Sequence, residues 1–144
     1  MKSLDTNILF YAINEDCEEH GRARGIVEEA LREPRSWIIA EQVWFELYRL
    51  LRNAAVLASP LGAAEAASST AWYREKSGWL RCAWEPDFMP DAMKFMEHAE
   101  FPARRTFDVV LGVTLLRNGV DEFVTRNTKD FEEMGFRSLR NPLA

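Results

Sequence analysis

Short apolar runs of strand length recur along this chain, each followed by a stretch of helical periodicity, and that alternation leaves few folds open to it. Trp37, Ile38, Ile39 and Ala40 are continuously apolar, after which Val43, Leu47, Leu50 and Ala54 recur at helical spacing. An unbroken apolar run of this length reads as a strand covered on both faces, as strands of parallel sheets are. Ser3 and Leu4, ending at Asp5, read as a first strand, Trp79 to Trp84 as a third and Phe123 to Thr125 as a fourth. The intervening segments read as helices. Asp5 can cap one running through Asn7, Ile8, Leu9 and Phe10. Cys17 to Arg32 is charge-laced, with Ala23, Ile26, Val27, Ala30 and Leu31 on one stripe, and Pro34 ends it. Pro60 to Ser77 is alanine-rich and closed by Gly78; Ala92, Phe95, Met96 and Ala99 mark a helix after the turn Glu85–Asp87. Phe107 to Leu116 is almost wholly apolar and so predicts a buried helix, with Gly119 placed to cap it. Lys129 to Met134 reads as one short helical turn ended by Gly135. Strands and helices alternating in one chain predict an α/β fold with a parallel sheet covered on both faces.

At 144 residues the chain fits a single domain spanning 1–144, long enough to bury roughly two-thirds of the surface of its unfolded form. The hydrophobic share of 47% and charged share of 28% are those of an ordinary globular protein and exclude a disordered or fibrous class. The N-terminal apolar stretch is too short for a membrane span and lacks a small-residue cleavage site, so a cytoplasmic protein without a membrane partner is expected. Cys17 and Cys82 have no CxxC partner and read as reduced thiols filling space. A net charge of −5 is not the footprint of a protein that grips nucleic acid by a broad basic face. Any nucleic-acid substrate must therefore be met by bound metal and local arginines.

Four acidic residues stand far apart in sequence, each at the mouth of a predicted strand or on a helix beginning just beyond one: Asp5, Glu46, Asp108 and Asp130. Ligands of parallel α/β sheets bind at the carboxyl ends of the strands, and all four lie at that end. Two carboxylates about 4 Å apart repel by roughly 4 kcal/mol at an effective dielectric near 20. Gathered together, they must protonate, scatter or bind a cation, and a set of hard oxygen ligands suits Mg²⁺ or Mn²⁺. Zinc is disfavoured, because His20 and His98 do not stand near either cysteine at zinc-finger spacing.

Plainer roles compete for each residue. Asp5 could serve only as a helix cap, Asp108 could do the same for the apolar helix it opens, Glu46 could be a solvated residue at the border of its stripe, and Asp130 a turn residue. Thr6, Asn7, Thr125 and Asn127 are placed to orient ligand carboxylates, although Thr125 could equally be an ordinary strand threonine. Arg104, Arg105 and Arg126 are candidate phosphate contacts, because a guanidinium pairs bidentately with phosphate oxygens; alternatively they neutralise neighbouring carboxylates. Trp72, Trp79 and Trp84 read as core or interface residues rather than base-stacking platforms.

Taken in order, the blocks LDTNIL, IIAEQVWFEL, TFDVVLGVTLLRNGV and VTRNTKDF resemble the PilT N-terminal (PIN) domain, and in particular VapC-type toxins. The resemblance covers nearly the whole chain. It implies a three-layer α/β/α fold with a central parallel sheet and a Mg²⁺-dependent endoribonuclease, with Mn²⁺ as a possible substitute. In such toxins the aspartate of the DTN block and the aspartate opening the late apolar helix bind metal, which carries over to Asp5 and Asp108; the helix glutamate carries over to Glu46. Members of the family often place a fourth acid immediately after the TR pair, where this sequence has Asn127. The fourth role is thereby divided between Asn127 and Asp130.

The resemblance further implies an RNA substrate cut by metal-activated water, a small cognate antitoxin filling the acidic cleft, and a homodimer. Two other readings remain at this stage. One is a catalytically silent domain of the same fold that binds RNA or a protein partner, since fold does not fix function. The other is a phosphatase with an aspartate nucleophile, which would ordinarily want a second aspartate where Asn7 stands.

Overall fold

Strands only three residues long can hold a sheet together only if neighbours cover its centre almost completely, and β1, β2 and β4 of this chain meet that condition while the edges stay partly open. The computed structural model describes residues 1–144. In chain order the elements are β1 (Lys2–Leu4), α1 (Thr6–Ile13), α2 (His20–Arg32), β2 (Ile38–Ala40), α3 (Glu41–Leu51), α4 (Ala63–Lys76), β3 (Leu80–Cys82), α5 (Met89–Met96), α6 (Thr106–Arg117), β4 (Glu122–Val124) and β5 (Ser138–Arg140). Ile39, Phe123, Val124 and Leu4 are completely buried.

All strand pairs are parallel. β4 joins β1 with Leu4 opposite Val124, β5 joins β4, and β3 joins β2. β2 meets β1 through a single bridge between Lys2 and Trp37, reinforced by the Ser3 hydroxyl, which donates to the Ile38 carbonyl at 2.5 Å. The resulting order is β3-β2-β1-β4-β5. Right-handed crossovers place α1 to α4 on one face, on the way outward from β1 to β3, and α5 and α6 on the other, on the return to β4. Three layers result, and the strand order reverses between β1 and β4, where open α/β sheets form their ligand crevice.

Boundaries differ from the sequence expectation where side chains compete with the backbone. α2 starts at His20 rather than Cys17, because Asn14 Oδ1 accepts the Asp16 amide and turns the chain before it can wind. α3 stops at Leu51, short of Ala54; there Asn53 Oδ1 accepts the Ala55 amide. α4 begins at Ala63 rather than Pro60, and α5 ends at Met96, before Ala99. The third strand shrinks from Trp79–Trp84 to Leu80–Cys82 and the fourth ends at Val124, leaving Thr125 just beyond it. β5 had no counterpart in the sequence reading: an exposed serine, a half-buried leucine and an arginine carry no apolar run. Gly119 does close α6, at φ +79°, a conformation that glycine adopts without Cβ strain.

The last turn, expected over Lys129–Met134, is a 3-10 helix at Thr128–Met134. Phe131 from this turn meets Phe123 of β4 edge to face, with centroids 4.9 Å apart. Met134 lies directly against Gly112 of α6, where any Cβ would collide with its thioether. That close approach fixes the turn beside α6 and so determines where Asp130 can point. No helix is long and apolar enough to cross a membrane.

Candidate active site

The end of β1 produces the first functional side chain by simple continuation. Leu4 is sealed in the sheet, the Asp5 amide still donates to the Val124 carbonyl at 2.9 Å, and α1 begins at the next residue. Asp5 is therefore both the last ladder residue and the cap of α1, its Oδ1 accepting the Thr6 amide at 2.7 Å. Its Oδ2 accepts the Thr125 hydroxyl at 2.6 Å and, more weakly, the Asn7 amide at 3.4 Å. Thr125, completely buried, is the residue after β4, so this bond ties together the two strand ends at the crevice. Burial pushes the Asp5 carboxyl up to about 6, and the charges of Glu46 and Asp108 push the same way against the Thr125 and Thr6 hydrogen bonds.

Glu46 arrives from α3, one helical turn after Gln42. Its Oε2 accepts the Thr6 hydroxyl at 2.7 Å and its Oε1 the Gln42 amide at 2.8 Å. The same Gln42 nitrogen donates to the Phe107 carbonyl at 3.0 Å, fastening α3 to the first turn of α6. Sequence reasoning passed over Gln42, although its position four residues before Glu46 is the spacing at which helical side chains meet.

Asp108 proves to be the third residue of α6 rather than its opening one; Arg105 takes the cap position without a side-chain cap bond. The carboxylate keeps the favourable place in the first turn of the helix. Burial raises it to about 6, with Asp130 and Glu46 adding repulsion while Arg105 and Arg104 oppose them. Asp5, Glu46 and Asp108 thus feel one another's charge, from three different elements.

Asp130 belongs to a different electrostatic setting. Its Oδ1 lies 3.6 Å from Arg104 and 3.7 Å from Arg105, and its carbonyl accepts Arg105 at 2.5 Å. Arg105 also stacks over Phe101, whereas Arg104 reaches outward, 72% exposed. Arg126 is occupied elsewhere. Its guanidinium contacts the Tyr11 hydroxyl, lies over that ring and approaches Glu19 at 3.7 Å; only its backbone amide touches the site, donating to Asn7 Oδ1 at 3.3 Å. Asn127 is exposed, and its backbone amide donates to Thr125 Oγ1 at 3.0 Å.

Among the tryptophans, Trp79 is buried with its indole N–H on the Ala30 carbonyl, while Trp72 and Trp84 are about half exposed, at 49% and 51%. Cys82 is buried, and that burial pushes its thiol up to about 11, away from the thiolate form.

No group of three or more His, Cys, Asp or Glu side chains is drawn together closely enough to form a closed ligand set. The donor chemistry nevertheless fits a hard divalent cation. Two carboxylates are held in protein at about 6, a third faces them, and the nearest arginines are turned to Asp130. Each Asp5 oxygen spends only part of its acceptor capacity on Thr6 and Thr125. Asp5, Glu46 and Asp108 are the residues that would hold such an ion.

Comparisons with known proteins place the family and the fold. The PIN domain family model matches residues 3–137. Ribonuclease VapC24 of Mycobacterium tuberculosis is 38% identical over 143 residues, covering 99% of this chain and 97% of that protein. Among solved structures, FitAB bound to an IR36 DNA fragment superposes with a TM-score of 0.71 at 15% identity, over 100% of this chain and 96% of that one. The sarcin-ricin loop cleaving toxin VapC20 of M. tuberculosis gives 0.63 at 15% identity, over 85% and 87%. VapBC2 of Rickettsia felis, bound to a fragment of its promoter, gives 0.64 at 16% identity, over 97% of both chains. At those identities the structures attest the shared fold, and the family rests on the matched family model and on the closer relative. The chain belongs to the PIN domain family, in its VapC-type branch.

Proposed function

We propose that this protein is a Mg²⁺-dependent endoribonuclease of the toxin type, cutting RNA phosphodiester bonds at the crevice between β1 and β4 and restrained by a small cognate antitoxin. The observation that carries the reading is that Asp5, Glu46 and Asp108, three acids from the end of β1, α3 and α6, repel one another and form no ion pair, with only the more distant charges of Arg105 and Arg104 acting on Asp108. The similarity to a protein named as a ribonuclease supports it. A divalent cation bound there would supply Lewis acidity, lowering the pKa of water and screening the phosphodiester charge.

The chain's own residues would do the rest. Thr6, through its amide and hydroxyl, orients Asp5 and Glu46 at once. Thr125 fixes the Asp5 oxygen on the β4 side, and Asn7 bridges Asp5 to the Arg126 amide. Gln42 sets the distance of Glu46 from the start of α6. Arg104, the most exposed of the three candidate arginines, could meet a phosphate by turning from Asp130, which Arg105 would still hold. A partner that inserts arginine or lysine among these carboxylates would both bind and inhibit, and assembly as a homodimer belongs to the same proposal.

The test is to incubate the purified protein with total bacterial RNA and Mg²⁺ and to map new 5′ ends. Discrete cuts that vanish with chelator and in Asp5→Asn are expected. Binding of RNA without cuts would favour a silent RNA-binding domain instead, and cuts of undiminished rate in Asp5→Asn would remove Asp5 from the chemistry.

A further inference from the structure

The two most exposed of the large apolar side chains adjoin the site carboxylates in sequence and in space. Phe45, 79% exposed, immediately precedes Glu46, and Phe107, 67% exposed, immediately precedes Asp108. Neither ring helps to close the core, since α3 turns Val43, Trp44, Leu47 and Leu51 inward and leaves Phe45 on the outside. The two rings line a single hollow of about 480 Å³ together with Gln42, Glu46, Arg49 and Leu50. That volume falls in the range of pockets that hold small planar molecules.

Glu46 belongs both to this hollow and to the carboxylate cluster, so whatever fills the hollow lies next to the reacting centre. Gln42 holds the two walls in register through its amide nitrogen, which serves both Glu46 and the Phe107 carbonyl. Its own carbonyl oxygen is left to accept from a ligand. Arg49 is exposed and pairs with no acid, in a chain whose net charge is −5. An unpaired guanidinium beside two bare aromatic rings is the combination that meets single-stranded nucleic acid, with bases on the rings and phosphate on the cation.

We propose that Phe45 and Phe107 form a stacking site for an unpaired nucleobase beside the scissile phosphate, with Arg49 taking the adjoining phosphate. The inference rests on RNA being the substrate. A base within a duplex cannot enter the hollow without leaving its stack.

The experiment uses an oligoribonucleotide spanning a cut site mapped in total bacterial RNA, with 2-aminopurine placed beside the cut. Phe45→Ala and Phe107→Ala should each raise KM on the order of tenfold, as expected for loss of one stacked base, with kcat little changed, and Phe45→Trp should restore KM. In an Asp5→Asn background, which removes cleavage, 2-aminopurine fluorescence should be quenched on binding when both rings are present and not when both are alanine. Wild-type KM and undiminished quenching in the alanine variants would overturn the stacking site while leaving the nuclease intact. So would variants that cleave normally but shift from dimer to monomer by light scattering, which would assign the rings to an interface between copies. If the wild-type protein cuts no RNA, the nuclease reading fails first and the stacking site falls with it.

Discussion

Asp5 and Asp130 are acidic side chains at the same end of the sheet and both candidates for one site, but the chain treats them in opposite ways. Asp5 is almost sealed from water, bonded only to neutral donors, and pushed up to about 6. Asp130 keeps 21% of its side chain exposed and faces two guanidinium groups. The first is a carboxylate whose charge the protein leaves unanswered; the second has been answered from within. A site that must take up a cation needs the first kind, because a buried acid already matched by arginine gains little from an ion and loses its partner to it. Asp108 stands between them, raised by burial and by Asp130 and lowered by the arginines that Asp130 holds.

The sharpest way to break that contrast is to neutralise the unanswered acids. Asp5→Asn and Asp108→Asn should each lower Mg²⁺-dependent RNA cleavage by on the order of a hundredfold or more, beyond the loss typical of residues that merely orient ligands. Initial rates at saturating Mg²⁺ decide the matter, and a wild-type rate in both variants would dissolve the distinction.

Stability against pH gives a second measure that needs no substrate. A carboxyl at about 6 in the folded state and at its ordinary value of about 4 when unfolded retains its proton longer in the native protein. Its contribution is full at pH below the unfolded value and is lost as pH rises through 6, on the order of 3 kcal/mol for Asp5. Glu41 works the other way, since Arg74 holds it below the usual range, so the informative quantity is the difference between wild type and Asp5→Asn. In chelator, melting temperature should fall between pH 4 and 7 more steeply in wild type than in the variant, and Mg²⁺ should restore more of it at pH 8 than at pH 5. Parallel curves would show that Asp5 carries no excess charge cost.

The third effect is smaller and probes how Asp5 is held. Thr125 donates to Asp5 Oδ2 and accepts from the Asn127 amide, and its bond is the largest influence drawing the Asp5 carboxyl downward. Thr125→Val keeps the volume and removes the donor. Cleavage at neutral pH should drop on the order of tenfold, and the acid limb of the pH–rate profile should move to higher pH. A drop without that movement would reduce Thr125 to a packing role.

The parallel fold was legible because Trp37–Ala40 and the Phe107–Leu116 helix advertise burial by composition alone, and Asp5, Glu46 and Asp108 were singled out as candidates by their places at or just beyond strand ends and by the family resemblance. What escaped depends on long-range pairing. β5 is three residues of mixed polarity that become a strand only because β4 offers an edge. Gln42 gains its role from Phe107, sixty-five residues away. Arg126 looked free for phosphate since nothing nearby in sequence shows that Tyr11 and Glu19 lie across from it.

The weakest expected effect concerns the corner where Asn127 replaces the acid. Removing Asp130 has two opposed consequences. It takes a negative charge away from Asp108, easing that group's ionisation, and it releases Arg104 and Arg105, whose positive charge then faces the place a cation would occupy. The two nearly offset each other, so Asp130→Ala should raise the Mg²⁺ concentration for half-maximal cleavage by less than about tenfold, well short of the loss from Asp5→Asn. Asn127→Ala retains the backbone bond to Thr125 and should change it less still. Titrating Mg²⁺ against cleavage rate in wild type and both variants separates the alternatives: impairment confined to Asn127→Ala would transfer the fourth role to the amide and leave Asp130 as an anchor for arginine.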